Sequence, residues 1–243
     1  MLLISECTRF IPTIEFPQNV VCNPAGVDEP LVSLTEYGFR CDSQYYAQGI
    51  AGSLKDCYVR LSVAKRLKMA ERELPEGYNF KVYDGYRPII VQRRLWDYYK
   101  RELCLKYPDI SEEELVKRTS FFVSEPSYDV KNPSLHNTGG AIDLTLVDDD
   151  GKEYDMGTKF DDFSRKAWTN HFEPSYIEYE NNHTVMCNRR ILYNAMCNAG
   201  FTNLPSEWWH YDYGTRFWGF FTGNQALYEG ILDANLPDKF PLC

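Results

Sequence analysis

The residues best equipped for chemistry lie in the run Ser134 to Leu146, Ser-Leu-His-Asn-Thr-Gly-Gly-Ala-Ile-Asp-Leu-Thr-Leu. Two metal-capable side chains, His136 and Asp143, bracket a glycine pair. On one continuous strand, residues seven apart point to opposite faces. Gly139 and Gly140 permit a turn or bulge that brings both side chains to one cleft. Past the turn, Ile142, Leu144 and Leu146 alternate with Ala141, Asp143 and Thr145. This alternation predicts a strand with its apolar face in the core and Asp143 on the cleft side.

Four histidines occur, at 136, 171, 183 and 210. A catalytic zinc needs about three protein ligands and one open position. His136, Asp143 and His210 would supply two imidazoles and one carboxylate, leaving the ion able to acidify water and polarise a carbonyl. Either histidine alone also suits a hydrogen-bonded structural role. Glu207 precedes His210 by three residues, so the two share a face only if the chain bends near Trp208. A carboxylate placed there can take a proton from the attacking water and return it to a leaving amine; the alternative is a solvated loop glutamate. Arg87, between Gly85 and Pro88, is a candidate for stabilising an oxyanion, or else a structural ion pair. Ser134 either donates to a substrate or shapes its loop. Trp208 and Trp209 are substrate-binding candidates that compete with a core role, as do Tyr211 and Tyr213. His171 and His183 have no such neighbours.

These residues need elements to position them. Val59, Val63, Leu67, Ala70 and Leu74 form a helical stripe that predicts a helix over 56–74, ended by Pro75 and Gly77. A short strand is expected over 79–83, then a turn at Asp84-Gly85. Pro88 opens a helix to about Lys106, and Ser111 with Glu114 has the spacing of a capping box for a helix to about Ser120. Asp148 to Gly151 reads as a hairpin turn without the pattern of a calcium loop. The stretch 164–187 reads as irregular and polar, a surface loop or lid. Asn188–Ala199 reads as a helix stopped by Gly200. Residues 1–53 suggest loops and short strands around a core. With no repeats or linkers, one α+β domain is expected.

The 243 residues carry a net charge of −9 without a basic block, which argues against nucleic acid and anionic membrane partners. No apolar run approaches the ~20 residues of a membrane helix, and the first twelve residues lack the features of a signal peptide. The eight cysteines form no C-x-x-C pair; the expectation is reduced thiols in a cytoplasmic protein.

Taken together, Gly85-Tyr86-Arg87-Pro88, Ser134-x-His136-x-x-Gly139-x-Ala141-x-Asp143, Met156-Gly157-x-x-Phe160-Asp161 and Glu207-Trp208-Trp209-His210 resemble the VanX-type D-alanyl-D-alanine dipeptidases of the zinc D-Ala-D-Ala peptidase family. The likeness runs in the family's order over roughly residues 55–215. It implies one zinc ion on His136, Asp143 and His210, Glu207 as general base and Arg87 as transition-state stabiliser. It also implies Ser134 and Asp161 near the substrate's amino end, where an acid would meet the free ammonium of a dipeptide. The implied fold is a central antiparallel sheet flanked by helices, of the D-Ala-D-Ala metallopeptidase and Hedgehog-like type. The same metal site would serve a D,D- or L,D-carboxypeptidase acting on longer wall peptides. A non-enzymatic binding module would need neither Glu207 nor Arg87. Oligomeric state is not legible.

Overall fold

The computed structural model describes residues 9–16, 20, 22–173, 179–232, 234 and 236. Its strands are β1 (Leu31–Ser33), β2 (Arg40–Cys41), β3 (Tyr58–Arg60), β4 (Asn79–Asp84), β5 (Ala141–Val147), β6 (Thr202–Asn203) and β7 (His210–Asp212). Its helices are α1 (Gln44–Ala47), α2 (Leu61–Glu71), α3 (Ile89–Lys106), α4 (Glu112–Phe122), α5 (Tyr179–Asn198) and α6 (Arg216–Thr222). The main sheet has the order β2-β4-β5-β7-β6. It is antiparallel throughout except at its edge, where β2 runs parallel to β4. β1 and β3 form a separate antiparallel pair.

β5 is the central strand, and all seven of its residues are buried. Ile142, Leu144 and Leu146 join Val63, Leu67 and Ala70 of α2 and Ile191, Leu192, Ala195 and Met196 of α5 in the main core. This is the apolar face that the alternation predicts. A smaller core holds Tyr45, Val91, Leu95, Trp96 and Val123 beneath α3 and α4. Pro88 stands at the N-cap of α3. Ser111 Oγ accepts from Glu114 N (3.3 Å), giving the expected start of α4. The acidic turn closes as a hairpin, with Gly151 N donating to Asp148 O (2.9 Å) and Val147 bridging Glu153.

Three expectations are corrected. The predicted helix over 56–74 is strand β3 followed by the shorter α2, because Val59 pairs with Val32 of β1. The i, i+4 spacing of Val59 and Val63 is therefore shared by a strand residue and a helix residue. The stretch 164–187 is not irregular throughout: Arg165–Ala167 is a 3-10 turn and α5 begins at Tyr179. Its first turns are too polar to show a helical stripe. Residues 174–178 of that stretch lie outside the described residues. Cys22, Cys41, Cys57, Cys104 and Cys197 are free thiols, whereas Cys187 is disulfide-bonded, against the expectation of reduced thiols throughout. No helix among the described residues is long and apolar enough to cross a membrane.

Candidate active site

The ends of three adjacent strands bring Asp84, Asp143 and His210 abreast. Asp143 of β5 is in register with Asp84 of β4 on one side and with His210 of β7 on the other. A register irregularity between Val82 and Asp84 bends the end of β4, as bulges do near sites. His136 arrives from a 3-10 turn over His136–Thr138, which Gly139 ends at φ 72°. Gly140 then passes so close to β7 that an added Cβ would sit 2.5 Å from Tyr213 O. The glycine pair thus acts as the spacing requires: one residue takes the left-handed backbone and the next permits close approach. Glu207 joins the same cleft because the chain turns at Trp208 and Trp209 before entering β7.

Three donor atoms converge. His136 Nε2 lies 3.1 Å from His210 Nδ1 and 3.3 Å from an oxygen of Asp143, and His210 Nδ1 lies 3.0 Å from the other oxygen. Tetrahedral ligands at about 2.0–2.1 Å from an ion stand about 3.3 Å apart, so the buried trio fits a metal. The outer ring nitrogens settle which atoms face inward. His136 Nδ1–H donates to Gly85 O (2.8 Å). His210 Nε2–H donates to Asp212 Oδ2 (3.1 Å), and Asp212 Oδ1 accepts from Thr215 Oγ1 (2.8 Å). The inward nitrogens are thereby the ones that can offer lone pairs to an ion; without one, burial opposes the charge on the His210 ring, but Asp212 and Asp143 outweigh it and hold the ring protonated. Burial alone would raise the Asp143 carboxyl, but the imidazoles of His136 and His210 outweigh it and hold the group ionised.

Arg87 is buried and held from several sides. Nε donates to Asp84 Oδ2 (2.8 Å), Nη1 to Gln92 Oε1 (3.0 Å) and Nη2 to the Tyr45 hydroxyl (3.3 Å). Asp143 lies 3.6 Å from Nη2. Burial works against the charge, but Tyr45, Asp84 and Asp143 outweigh it, so the guanidinium stays protonated. A guanidinium has five N–H donors, and the second hydrogen on Nη1 has no partner among the described residues. Gln92 is itself fixed, its Nε2 donating to Ser124 O (2.7 Å).

The cleft is lined by Arg87, Ser134, His136, Asp143, Asp161, Glu207 and His210, among others. The Glu207 carboxylate has no hydrogen-bond partner among the described residues. Burial, with Asp143 adding and His210 opposing, pushes it up to about 7. Asp161 takes φ 58°, a backbone uncommon outside glycine, and accepts from Tyr45 Oη (3.3 Å). Burial first, then the negative charge of Asp143, pushes its carboxyl up to about 8. Ser134 is buried and lines the same cleft.

Trp208 and Trp209 are not brought to this cleft. Both are buried in the main core, and Trp208 Nε1 donates to Thr158 Oγ1 (2.8 Å). They hold the turn that presents Glu207 and His210, which corrects their reading as substrate-binding residues. Asp84, Asp212, Tyr45 and Gln92 escaped the sequence reading. Asp212 had a local signal, since it lies two residues beyond His210 on the same strand face. Asp84 had one in its place three residues before Arg87. Tyr45 and Gln92 reach the site only through tertiary packing.

Three convergent metal-capable donors, an unpartnered carboxylate and an anchored arginine on one cleft define the site class of a metal-dependent hydrolase. A sequence model of the family described as D-ala-D-ala dipeptidase matches residues 38–226. The chain is 31% identical over 208 residues to a D-alanyl-D-alanine dipeptidase of Synechocystis sp., covering 78% of this chain and 84% of that one. It is 32% identical over 153 residues to a D-alanyl-D-alanine dipeptidase of Escherichia coli, covering 62% of each. Among solved structures, it is similar to the vancomycin resistance D,D-pentapeptidase VanY in complex with Zn(II). That match has 16% identity and a TM-score of 0.44, covering 84% of this chain and 91% of that one. The chain belongs to the D-ala-D-ala dipeptidase family and is an enzyme of the metallopeptidase class.

Proposed function

We propose that this enzyme hydrolyses D-alanyl-D-alanine to two molecules of D-alanine with one zinc ion per chain. The observation that carries the reading is the convergence of His136, Asp143 and His210 beside an unpartnered Glu207. Those three residues would hold the ion, which when bound makes water nucleophilic at neutral pH and polarises the scissile carbonyl. Glu207, with a pKa near 7, suits both halves of a proton relay: it accepts from the attacking water and donates to the departing amine. Arg87 directs its remaining Nη1 hydrogen at the charge developing on the carbonyl oxygen. Asp161, steadied by Tyr45, receives the substrate's ammonium, whose positive charge draws its carboxyl down from about 8 and ionises it, with Ser134 lining the same cleft. A buried acid at that end favours a dipeptide, because a longer peptide presents an amide there and leaves the carboxylate unmatched.

The test is release of D-alanine from D-Ala-D-Ala by purified protein, before and after chelation and after zinc is returned. Release that chelation abolishes and zinc restores is expected. Glu207→Ala should keep its zinc and lose at least ~100-fold in rate, the scale of general acid–base catalysis. No release from zinc-loaded protein would sink the reading, and a near-normal Glu207→Ala rate would remove Glu207 from its role. Faster turnover of a pentapeptide ending in D-Ala-D-Ala would make the enzyme a carboxypeptidase instead.

A further inference from the structure

A second cavity opens beside the cleft and shares Ser124, Leu135, Leu204 and Glu207 with it. It offers about 570 Å³, against about 60 Å³ next to the donor trio. Arg216 is the one cationic residue among those lining it, and Asp161 does not line it. Arg216 is half-buried. Nη1 donates to Pro133 O (2.6 Å) and to Asn132 Oδ1 (3.1 Å), which fixes its position. Nε and Nη2 have no hydrogen-bond partner, and no carboxylate pairs with Arg216, among the described residues. Burial lowers its pKa, with Cys22 and then Asp212 opposing. An anchored, partly desolvated cation with donors to spare is the usual receptor for a carboxylate.

We infer that Arg216 and the cavity around it receive the free carboxylate of the leaving, C-terminal residue of the substrate. This rests on the dipeptidase reading. Glu207 must face the departing nitrogen to protonate it, and the residue leaving with that nitrogen then lies on the side of Glu207 away from Asp161. The cavity that shares Glu207 but not Asp161 is on that side. Among the described residues Arg87 is the only other arginine or lysine lining either space, and its donors are largely committed to Asp84, Gln92 and Tyr45. A dipeptide spans about 7 Å, with an ammonium at one end and a carboxylate at the other. Asp161 and Arg216 supply the two opposite charges, one in each of two adjoining spaces.

The experiment compares D-Ala-D-Ala with D-alanyl-D-alaninamide, which lacks the terminal charge, on zinc-loaded wild type, Arg216→Gln and Arg216→Lys. Loss of a charge-assisted hydrogen bond should raise KM for the acid about 10–100-fold in Arg216→Gln. kcat should stay within about threefold, KM for the amide should not change, and Lys should restore part of the loss. Equal losses on acid and amide would reduce Arg216 to a brace for the 132–133 loop and overturn the inference, as would an unchanged KM for the acid. Calorimetric binding of the acid and the amide to Glu207→Gln, with and without Arg216→Gln, separates the two readings. Acid-selective binding that needs Arg216, without turnover by wild type, fails the dipeptidase reading and keeps the anion site. Turnover without such selectivity does the reverse. No binding and no turnover overturns both.

Discussion

Asp212 does not line the cleft, yet it governs a residue that does. By accepting from His210 Nε2–H it leaves Nδ1 as the nitrogen that can bind an ion, and Thr215 holds it in that position. Outer partners of this kind contribute about 10–100-fold to metal affinity. Asp212→Leu is therefore expected to weaken zinc binding by about that factor in competition with a chromophoric chelator. Asp212→Asn, which still offers an oxygen to the ring, should retain more of it. Equal zinc affinity in wild type and Asp212→Leu would show that the ring is oriented by packing alone. At this scale the sequence was most legible where spacing is short and chemically unusual. Ser134 to Asp143 and Glu207 to His210 announced themselves. Trp208 and Trp209 did not reveal their side of the turn, because an indole suits a core and a pocket equally well.

Among the elements, the passage from the 3-10 turn into β5 is the tightest joint. Gly140→Ala would press a methyl against Tyr213 O and Thr215 Cγ2, so either β5 or β7 must shift. A loss of roughly 1–3 kcal/mol in denaturant unfolding is expected, together with weaker zinc binding, since the same two strands carry Asp143 and His210. A Gly140→Ala protein with wild-type unfolding and zinc affinity would show that the joint has slack. The C-terminal half of α5 was readable from its apolar periodicity, and α3 from Pro88 at its start and Pro108 just beyond its end. β3 was not. A three-residue strand feeding directly into α2 gives no period of its own, and Val59 matched the helix by accident. The start of α5 was hidden for the opposite reason, since a helix whose first turns are polar shows no stripe.

Across the whole molecule, the cleft gathers acids from distant segments, and their repulsion costs stability when no ligand is bound. Asp161 illustrates the sign. Its pKa is raised from an ordinary carboxylate value to about 8, so the native chain holds a proton that the unfolded chain releases. The contribution of this group is most favourable below about pH 4 and is lost as pH rises from about 4 to 8. Asp161→Asn removes that dependence. In metal-free protein the variant should gain on wild type across this window, reaching on the order of 5 °C in Tm above pH 8. A Tm difference that does not change with pH would show that Asp161 is already ionised and paired in the folded chain. No local pattern could have revealed this, because the acids meet only after β4, β5, β7 and the Asp161 turn are assembled.

The row of Asp84, Asp143 and His210 across three strands has another consequence. Side chains alternate along a strand, so a slip of one residue between β5 and its neighbours would turn Asp143 inward and offer Ile142 or Leu144 in its place. Such a chain lacks the third donor and turns Ile142, Leu144 and Leu146 away from the main core. An ion that requires all three then acts as a proofreader of strand pairing. It binds only correctly paired molecules and draws the folding population toward them by mass action.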